Sequence, residues 1–448
     1  MDARNTVCKV VVNVCRMVVA VTFIFSGYVK AIDPIGTQYK LNDYLAAADL
    51  PGYVPDYITL SASVALGGLE FCLGIFTLFA VHRRLVSRLV ALFMVVMTPL
   101  TLWLAVANPI KDCGCFGDAL VLTNWETFYK NVVLLAASVV ICLRPLMMPR
   151  FISRTNQWIL VAYTVVFILF SSTKSLYTLP QFDFRPYRVG TDIKKGMEIP
   201  KGAKEPKFET TFILEKNGQR KEFALDNYPD STWTFIDSKT VQTEVGYVPP
   251  IHDFSIQTLD GGEDLTDSVL AYKGYSFVLV SPHLENADDS NFGAIDQIYE
   301  YSQAHGYPFY ALTASGEKGI SHWRDITGAE YNFFATDETT LKTIIRSNPG
   351  LLLLKDGVII GKWSHNALPM LDYDTPALEK TVYGKPQDAS TMQKVSEIML
   401  WYILPLLILT LADRTWKLTK WLRRRGKKSK DKSTLIGKET NEKENCSR

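Results

Sequence analysis

Two cysteines separated by a single residue are the side chains of this sequence best placed to do chemistry. They sit in the polar stretch Asn108-Pro109-Ile110-Lys111-Asp112-Cys113-Gly114-Cys115-Phe116-Gly117-Asp118. Gly114 and Gly117 allow turns that bring the two side chains together, and any disulfide across one residue closes a small ring with imperfect geometry. A strained, exposed disulfide is easily reduced and serves as an oxidant or electron relay: one sulfur attacks or is attacked by a partner's sulfur and the other resolves the mixed disulfide. Lys111 would lower a thiol pKa and Asp112 and Asp118 would raise it, so the net sign stays open. A bond that only closes the loop is a second reading. Metal binding is a third and fits least, because structural zinc usually takes four ligands and no His or further Cys lies nearby in the sequence.

Glu70 is the next candidate, since an ionisable group inside an apolar run is expensive and normally faces a bundle interior with a partner. Lys30 is the nearest cation by side, at the outer end of the first apolar run, whereas Glu70 stands near the middle of the second. The pair either locks two helices together or moves protons for thiol or quinone chemistry. No motif specifies a cofactor; a quinone is the one candidate electron acceptor.

The elements that must position these groups are membrane helices. The chain has 448 residues, 47% hydrophobic and 21% charged, which excludes a disordered or fibrous protein. Its mean hydropathy of +0.04 is the average of apolar spans and a polar domain. Five runs approach the ~20 residues that span a bilayer, at 7–29, 58–80, 85–107, 127–146 and 157–174, with a sixth at 396–412. The first contains Asn13 and Arg16 and no small-residue cleavage site follows it, so it reads as retained rather than as a cleaved signal. Arg4 and Lys9, then Arg83, Arg84 and Arg88, then Arg144, Arg150 and Arg154 fall on one side, together with a tail. That tail, residues 413–432, holds ten Lys or Arg against two acids, a charge of +8 in a chain whose total is +2. The positive-inside rule makes this side cytoplasmic, with both termini inside and residues 180–394 in the periplasm of a bacterial inner membrane. Of seven cysteines, only Cys113 and Cys115 then readily meet an oxidising compartment.

The external part divides by composition. Residues 181–248 form a β-rich linker module, with alternating runs either side of Lys216-Asn217-Gly218 that suggest a hairpin. From 249 to 372, strands alternate with helices: FVLV at 277–280, helices near 290–305 and 317–327, PFYALTA at 308–314, NFFATD, then GLLLLKDGVIIGKW. Such alternation indicates an α/β domain with a mixed sheet. The remaining divisions are a helical domain over 1–150, a fifth span within 151–180, a linker at 373–394, a sixth span at 395–413 and a basic tail at 414–448, whose last 20 residues look disordered.

Three segments together carry a family resemblance: Phe25-Ser-Gly-Tyr-Val-Lys30, Gly67-Gly68-Leu-Glu70 with Leu73-Gly74, and Asn108-Pro-Ile-x-x-Cys-Gly-Cys-Phe-Gly117. With them the first 150 residues, about a third of the chain, resemble the DoxX/MauE-type four-helix membrane family. MauE-like proteins are associated with maturation of disulfide-containing periplasmic proteins in methylamine utilisation, which the resemblance implies here as a functional class. Residues 249–370 are similar to thioredoxin-like domains of the TlpA/peroxiredoxin-related kind. The similarity rests on Pro250-x-x-Asp253-Phe254-Ser-Ile-x-Thr-Leu-Asp260-Gly261, the strand Phe277-Val-Leu-Val280, and Asn348-Pro349-Gly350 before Leu351-Leu-Leu-Leu-Lys-Asp-Gly357. It implies a cis proline at Pro349, beside the place where the family carries its cysteine pair. Here that place reads Ser281-Pro282-His283-Leu284-Glu285-Asn286, and no cysteine occurs from 143 to 445. Thiol exchange needs a thiolate, so this domain does not perform it alone; it would present a peptide groove beside Pro349 or dock a partner over the cysteine loop. His283 is a client-binding candidate, though an ordinary polar loop residue is the simpler reading. His252, His305, His322 and His365 show no ligand spacing, and Trp323 and Trp363 read as packing residues.

Trp416, Trp421, Arg423, Arg424 and Arg425 continue the sixth span with aromatics at interface depth and cations beyond, a pattern for membrane lipid rather than nucleic acid. The sequence thus reads as an inner-membrane thiol–disulfide oxidoreductase or maturation factor acting on a periplasmic or envelope protein through Cys113 and Cys115. The rival is a non-catalytic scaffold whose thioredoxin-like domain binds an envelope client. Transport ranks last, with Glu70 and Lys30 in its favour but no discontinuous helices or repeats.

Overall fold

The computed structural model describes residues 3–48, 54–110, 112–204, 207–216, 219–224, 234–244, 246–387 and 390–423, with side chains outside 205–245. Lys111, Arg424 and Arg425 lie outside the described residues. The chain forms two compact units, Met1–Phe184 with Ala389–Arg448, and Arg185–Asp388.

The first unit is helical: α1 (Ala3–Ile32), α2 (Pro34–Ala47), α3 (Asp56–Phe79), α4 (Arg83–Ala107), α5 (Asn124–Leu143) and α6 (Gln157–Tyr177). The second opens with α7 (Ile193–Met197), and α12 (Thr391–Ile398) returns the chain to the first. A π-helical turn, Met399–Ile403, carries α12 on to residue 423. Six helices, all but α2 and α7 of those just named, are long and apolar enough to cross a membrane. A helix satisfies its backbone groups within the segment and needs no water to do so, which suits such apolar runs to lipid. The fourth span starts at 124 rather than 127 because Thr123 and Glu126 form a reciprocal capping box. Between the first two spans lies α2, which Asp33 caps by accepting from the Gly36 N–H, with Pro34 at the first turn.

Helices α1 and α3 pack most closely. A Cβ on Gly27 would lie 2.2 Å from the Phe71 amide nitrogen, and one on Gly74 2.7 Å from that of Ile24. Small residues are what permit such close approach where lipid supplies no hydrophobic drive. Arg16, which interrupts the apolar run of α1, is fully buried and caps the end of α3. Its Nε donates to the Thr77 carbonyl at 3.0 Å, its Nη2 to that of Leu78, and its Nη1 to that of Pro149 at 3.1 Å. It thereby satisfies carbonyls that a helix end leaves orphaned. The π turn points Tyr402 into the unit, where its hydroxyl meets Thr164 Oγ1 at 3.0 Å and its ring stacks on Phe167 at 4.1 Å between centroids.

In the second unit, β1 (Lys207–Lys216), β2 (Gln219–Ala224) and β3 (Thr234–Glu244) make an antiparallel sheet of order β2-β1-β3, with Lys216 opposite Gln219. Then follow α8 (Thr266–Ala271), β4 (Tyr275–Ser281), α9 (Phe292–His305), β5 (Phe309–Thr313), α10 (Glu317–Thr327), β6 (Phe333–Ala335), α11 (Glu338–Ile344), β7 (Gly350–Lys355) and β8 (Val358–Ser364). They build a mixed sheet of order β6-β5-β4-β7-β8, parallel among β4, β5 and β6 and antiparallel at β7 and β8. Every residue of β4 is buried, as expected for a central strand covered on both faces. Phe277, Leu279, Leu351, Leu353, Tyr301 and Trp323 form its core, and Trp363 packs against it.

Replacing Gly27 by Val should drive α1 from the α3 backbone. Thermal unfolding of the detergent-solubilised protein should then start well below wild type, whereas Gly316→Val, in open space, should change it little.

Candidate functional site

The cysteine loop is fixed from several sides before its chemistry is considered. Asn124 Nδ2 donates to Asn108 Oδ1 at 2.9 Å and to the Ile110 carbonyl at 2.8 Å, tying the loop to the start of α5. Gly114 and Gly117 both adopt left-handed backbone, at φ +62° and +52°, as the tight turns demand. Tyr44 of α2 donates to the Cys113 carbonyl at 2.6 Å, and Lys40 pairs with Asp112 at 3.0 Å. Phe116 is buried against Phe25, with the Lys130 ammonium 4.1 Å from its ring centre.

These restraints bring Cys113 Sγ and Cys115 Sγ to 2.9 Å as two free thiols. Cys113 is buried and Cys115 half-buried. The hydrogen bond between the sulfurs divides their acidities. It pushes Cys113 up, with burial adding to the effect. It pulls Cys115 down to about 6, aided by Lys130 and Lys30 and opposed by burial. Among the described residues, the cations that act on the pair come from helices α1 and α5.

Beneath the loop, Lys30 and Glu70 meet. The Lys30 ammonium lies 2.7 Å from Glu70 Oε2, with both side chains less than a tenth exposed. The two positions looked mismatched in depth; Ser26, one turn before Lys30, completes the link. Its Oγ lies 2.8 Å from Glu70 Oε2, 3.2 Å from Lys30 Nζ and 2.6 Å from the Cys115 carbonyl. A cavity of about 20 Å³ opens between Ser26, Glu70, Cys115, Lys130 and Asn131, room enough for one water molecule. The arrangement can hold a thiolate, exchange a proton with a carboxylate one water away, and keep the accompanying charges paired.

Sequence reasoning missed Ser26, Tyr44 and Lys130. Ser26 lies four residues before Lys30, the spacing that puts two side chains on one helix face, and Lys130 is a cation one turn inside an apolar span. Both signals were legible. Tyr44 carries no such signal, because no apolar run marks α2.

In the second unit, His283 and Pro349 come together through Asn348. Its Nδ2 donates to the His283 carbonyl at 2.8 Å, and its Oδ1 accepts from Ser281 at 2.6 Å. The Asn348–Pro349 peptide is cis. Pro349 is itself buried, so Ser347, Asn348 and His283 supply the surface there. His283 is paired with Glu338 at 2.9 Å, and His365 with Ser347 at 3.0 Å. Trp416, Trp421 and Arg423 are exposed on the last turns of the helix that ends at residue 423.

Two measurements check this geometry. Alkylation of Cys115 should rise through a midpoint near pH 6, since the thiolate appears as pH climbs through its pKa. Cys113→Ala removes the donor and should move that midpoint up toward the ~8.5 of an ordinary thiol. Lys30→Met should destabilise the helical unit by about 3–5 kcal/mol in denaturant titrations, and Lys30→Met with Glu70→Leu should recover most of it, because a lone buried charge costs more than an apolar pair.

Residues 8–144, which contain Ser26, Lys30, Glu70, Cys113, Cys115 and Lys130, match the family described as methylamine utilisation protein MauE. Residues 208–244 match a domain of unknown function, DUF8463. No curated protein and no solved structure matches the chain. The chain thus carries a MauE domain over residues 8–144, built of membrane-spanning helices.

Proposed function

We propose that the protein is a thiol–disulfide relay of the bacterial inner membrane, acting on a periplasmic or envelope protein through Cys113 and Cys115. The observation that carries this reading is the sulfur pair 2.9 Å apart above the buried Ser26–Lys30–Glu70 cluster. A structural staple needs no adjacent proton acceptor, and the bundle pays to keep ionised groups there.

In the direction written from the dithiol, the Cys115 thiolate attacks a client disulfide and displaces one client sulfur as thiolate. Cys113 loses its proton and attacks Cys115 Sγ, closing the Cys113–Cys115 bond and releasing the second client sulfur. The client disulfide gains two electrons and the pair loses them; the reverse sequence oxidises a client dithiol. The Cys113 proton goes to the client thiolate released first; Glu70, which shares the small cavity with Cys115, takes or returns the Cys115 proton, and Lys30 keeps its charge balanced. Continuous client oxidation needs a two-electron acceptor, for which we propose a quinone. An apolar groove of about 680 Å³ bordered by Phe25, Tyr28, Phe71, Phe167 and Tyr402 suits such a ring, and Phe25 packs on Phe116 beside Cys115.

The cations at the starts of α4 and α6 and beyond α12 support a threading with both termini cytoplasmic and the cysteine loop periplasmic. We propose that the mixed-sheet domain is thioredoxin-like and binds the client at Ser347, Asn348 and His283. Its strand order and the β4-α9-β5 crossover support this reading. The MauE match supports a role in maturing partner proteins, the class associated with methylamine utilisation.

The dense pinning of the loop favours a second reading, in which the pair only stiffens a scaffold. Cysteine trapping separates the two. In native membranes, Cys113→Ala should accumulate a reducible adduct between Cys115 and another protein, and Cys115→Ala should not. Absence of any adduct, with assembly intact, would leave the scaffold.

A further inference from the structure

Where α4 begins, at the end of that helix remote from the cysteine loop, four guanidinium groups converge on one cavity. Arg83, Arg84, Arg150, Arg154, His82 and Gln157 line a space of about 440 Å³. No carboxylate lines it, and Arg83 stands in the electrostatic field of Arg150, Arg154 and Arg84 together. Like charges gathered this closely repel one another unless an anion sits among them.

Burial and hydrogen bonding point the same way. Gln157 is 3% exposed, and its Nε2 has no acceptor, although its Oε1 accepts from the His82 amide. The Nε atoms of Arg83 and Arg150 are buried and equally without acceptors, while Arg83 Nη1 is spent on the Leu146 and Met148 carbonyls. Three buried donors from three segments thus lack partners around one cavity, and each is costly to leave unmet. Helices α4 and α6 also begin here, so two helix N-termini add positive potential. Membrane topology accounts for cations in these loops. It does not account for their convergence on a cavity with unmet donors.

We propose that this cavity binds a phosphate-bearing anion, whose oxygens accept from Arg150 Nε, Gln157 Nε2 and the flanking guanidinium groups. Guanidinium forks match phosphate oxygens well. The volume exceeds that of a bare phosphate and suits a phosphorylated headgroup or a small phosphate ester. The shared chemistry is the phosphoryl group; its source is either an anionic phospholipid or a soluble phosphate compound.

The full-length protein in neutral detergent distinguishes these. Native mass spectrometry would follow binding of phosphatidylglycerol against phosphatidylcholine, and thermal unfolding would follow inorganic phosphate against chloride at equal ionic strength. Phosphatidylglycerol should bind at least tenfold more tightly than phosphatidylcholine, and R84Q/R154Q should abolish that preference. Arg84 and Arg154 are exposed, so the substitutions should leave helical content unchanged. Gln157→Glu, close to isosteric, should abolish it independently by setting a carboxylate in the cavity, whereas Arg88→Gln, outside the cavity, should change it less than twofold. Stabilisation by phosphate with the same variant dependence, and no lipid preference, would assign the soluble source. Binding of both probes unaltered by R84Q/R154Q and by Gln157→Glu, or altered as much by Arg88→Gln, would overturn the proposal.

Discussion

Much of the helical unit depends on one contact: the buried ion pair of Lys30 with Glu70. Two charges taken out of water cost several kcal/mol each unless geometry and further hydrogen bonds compensate them. Here compensation requires α1 and α3 to approach closely enough for a 2.7 Å contact, and the glycines at 27 and 74 make that approach possible. Arg16 joins the same two helices again, from the middle of α1 to the end of α3. Ser26, one turn before Lys30, stays in reach of both Glu70 and the cysteine loop.

From that anchor the chemistry of the loop follows. A dithiol free to move would have two similar acidities. Fixed at 2.9 Å, the sulfurs share one proton unevenly: their hydrogen bond lowers Cys115 and raises Cys113, and the cations of α1 and α5 add to the effect on Cys115. Cys115 is the more acidic of the two. In the second unit a mixed sheet of order β6-β5-β4-β7-β8 is built without any cysteine.

The sequence was most legible where periodicity and composition act locally. The six spans, the hairpin strands either side of Lys216 and the alternation from β4 to β8 follow from apolar runs and turn residues, and the loop bearing Cys113 and Cys115 stood out by spacing alone. What it hid were relations across distance. Lys30 and Glu70 seemed offset in depth because linear position does not reveal how α1 and α3 slide past each other. Tyr44 was invisible because α2 is short and weakly amphipathic, its start set by Asp33 and Pro34 rather than by hydrophobic pattern. Arg16 looked like a flaw in an apolar helix, and only the end of α3 beside it explains its presence. Arg150 and Arg154 read as topology signals until a cavity gathered them with Gln157.

The most direct test of the account is the redox state of Cys113 and Cys115 in native membranes, read by acid quench, differential thiol alkylation and mass spectrometry, with and without mild reductant. A relay predicts a pair that cycles: partly oxidised at rest, fully reduced by mild reductant without denaturation, and reoxidised when the reductant is removed. A bond that stays oxidised until the protein is unfolded, or thiols that no oxidant joins, would contradict it.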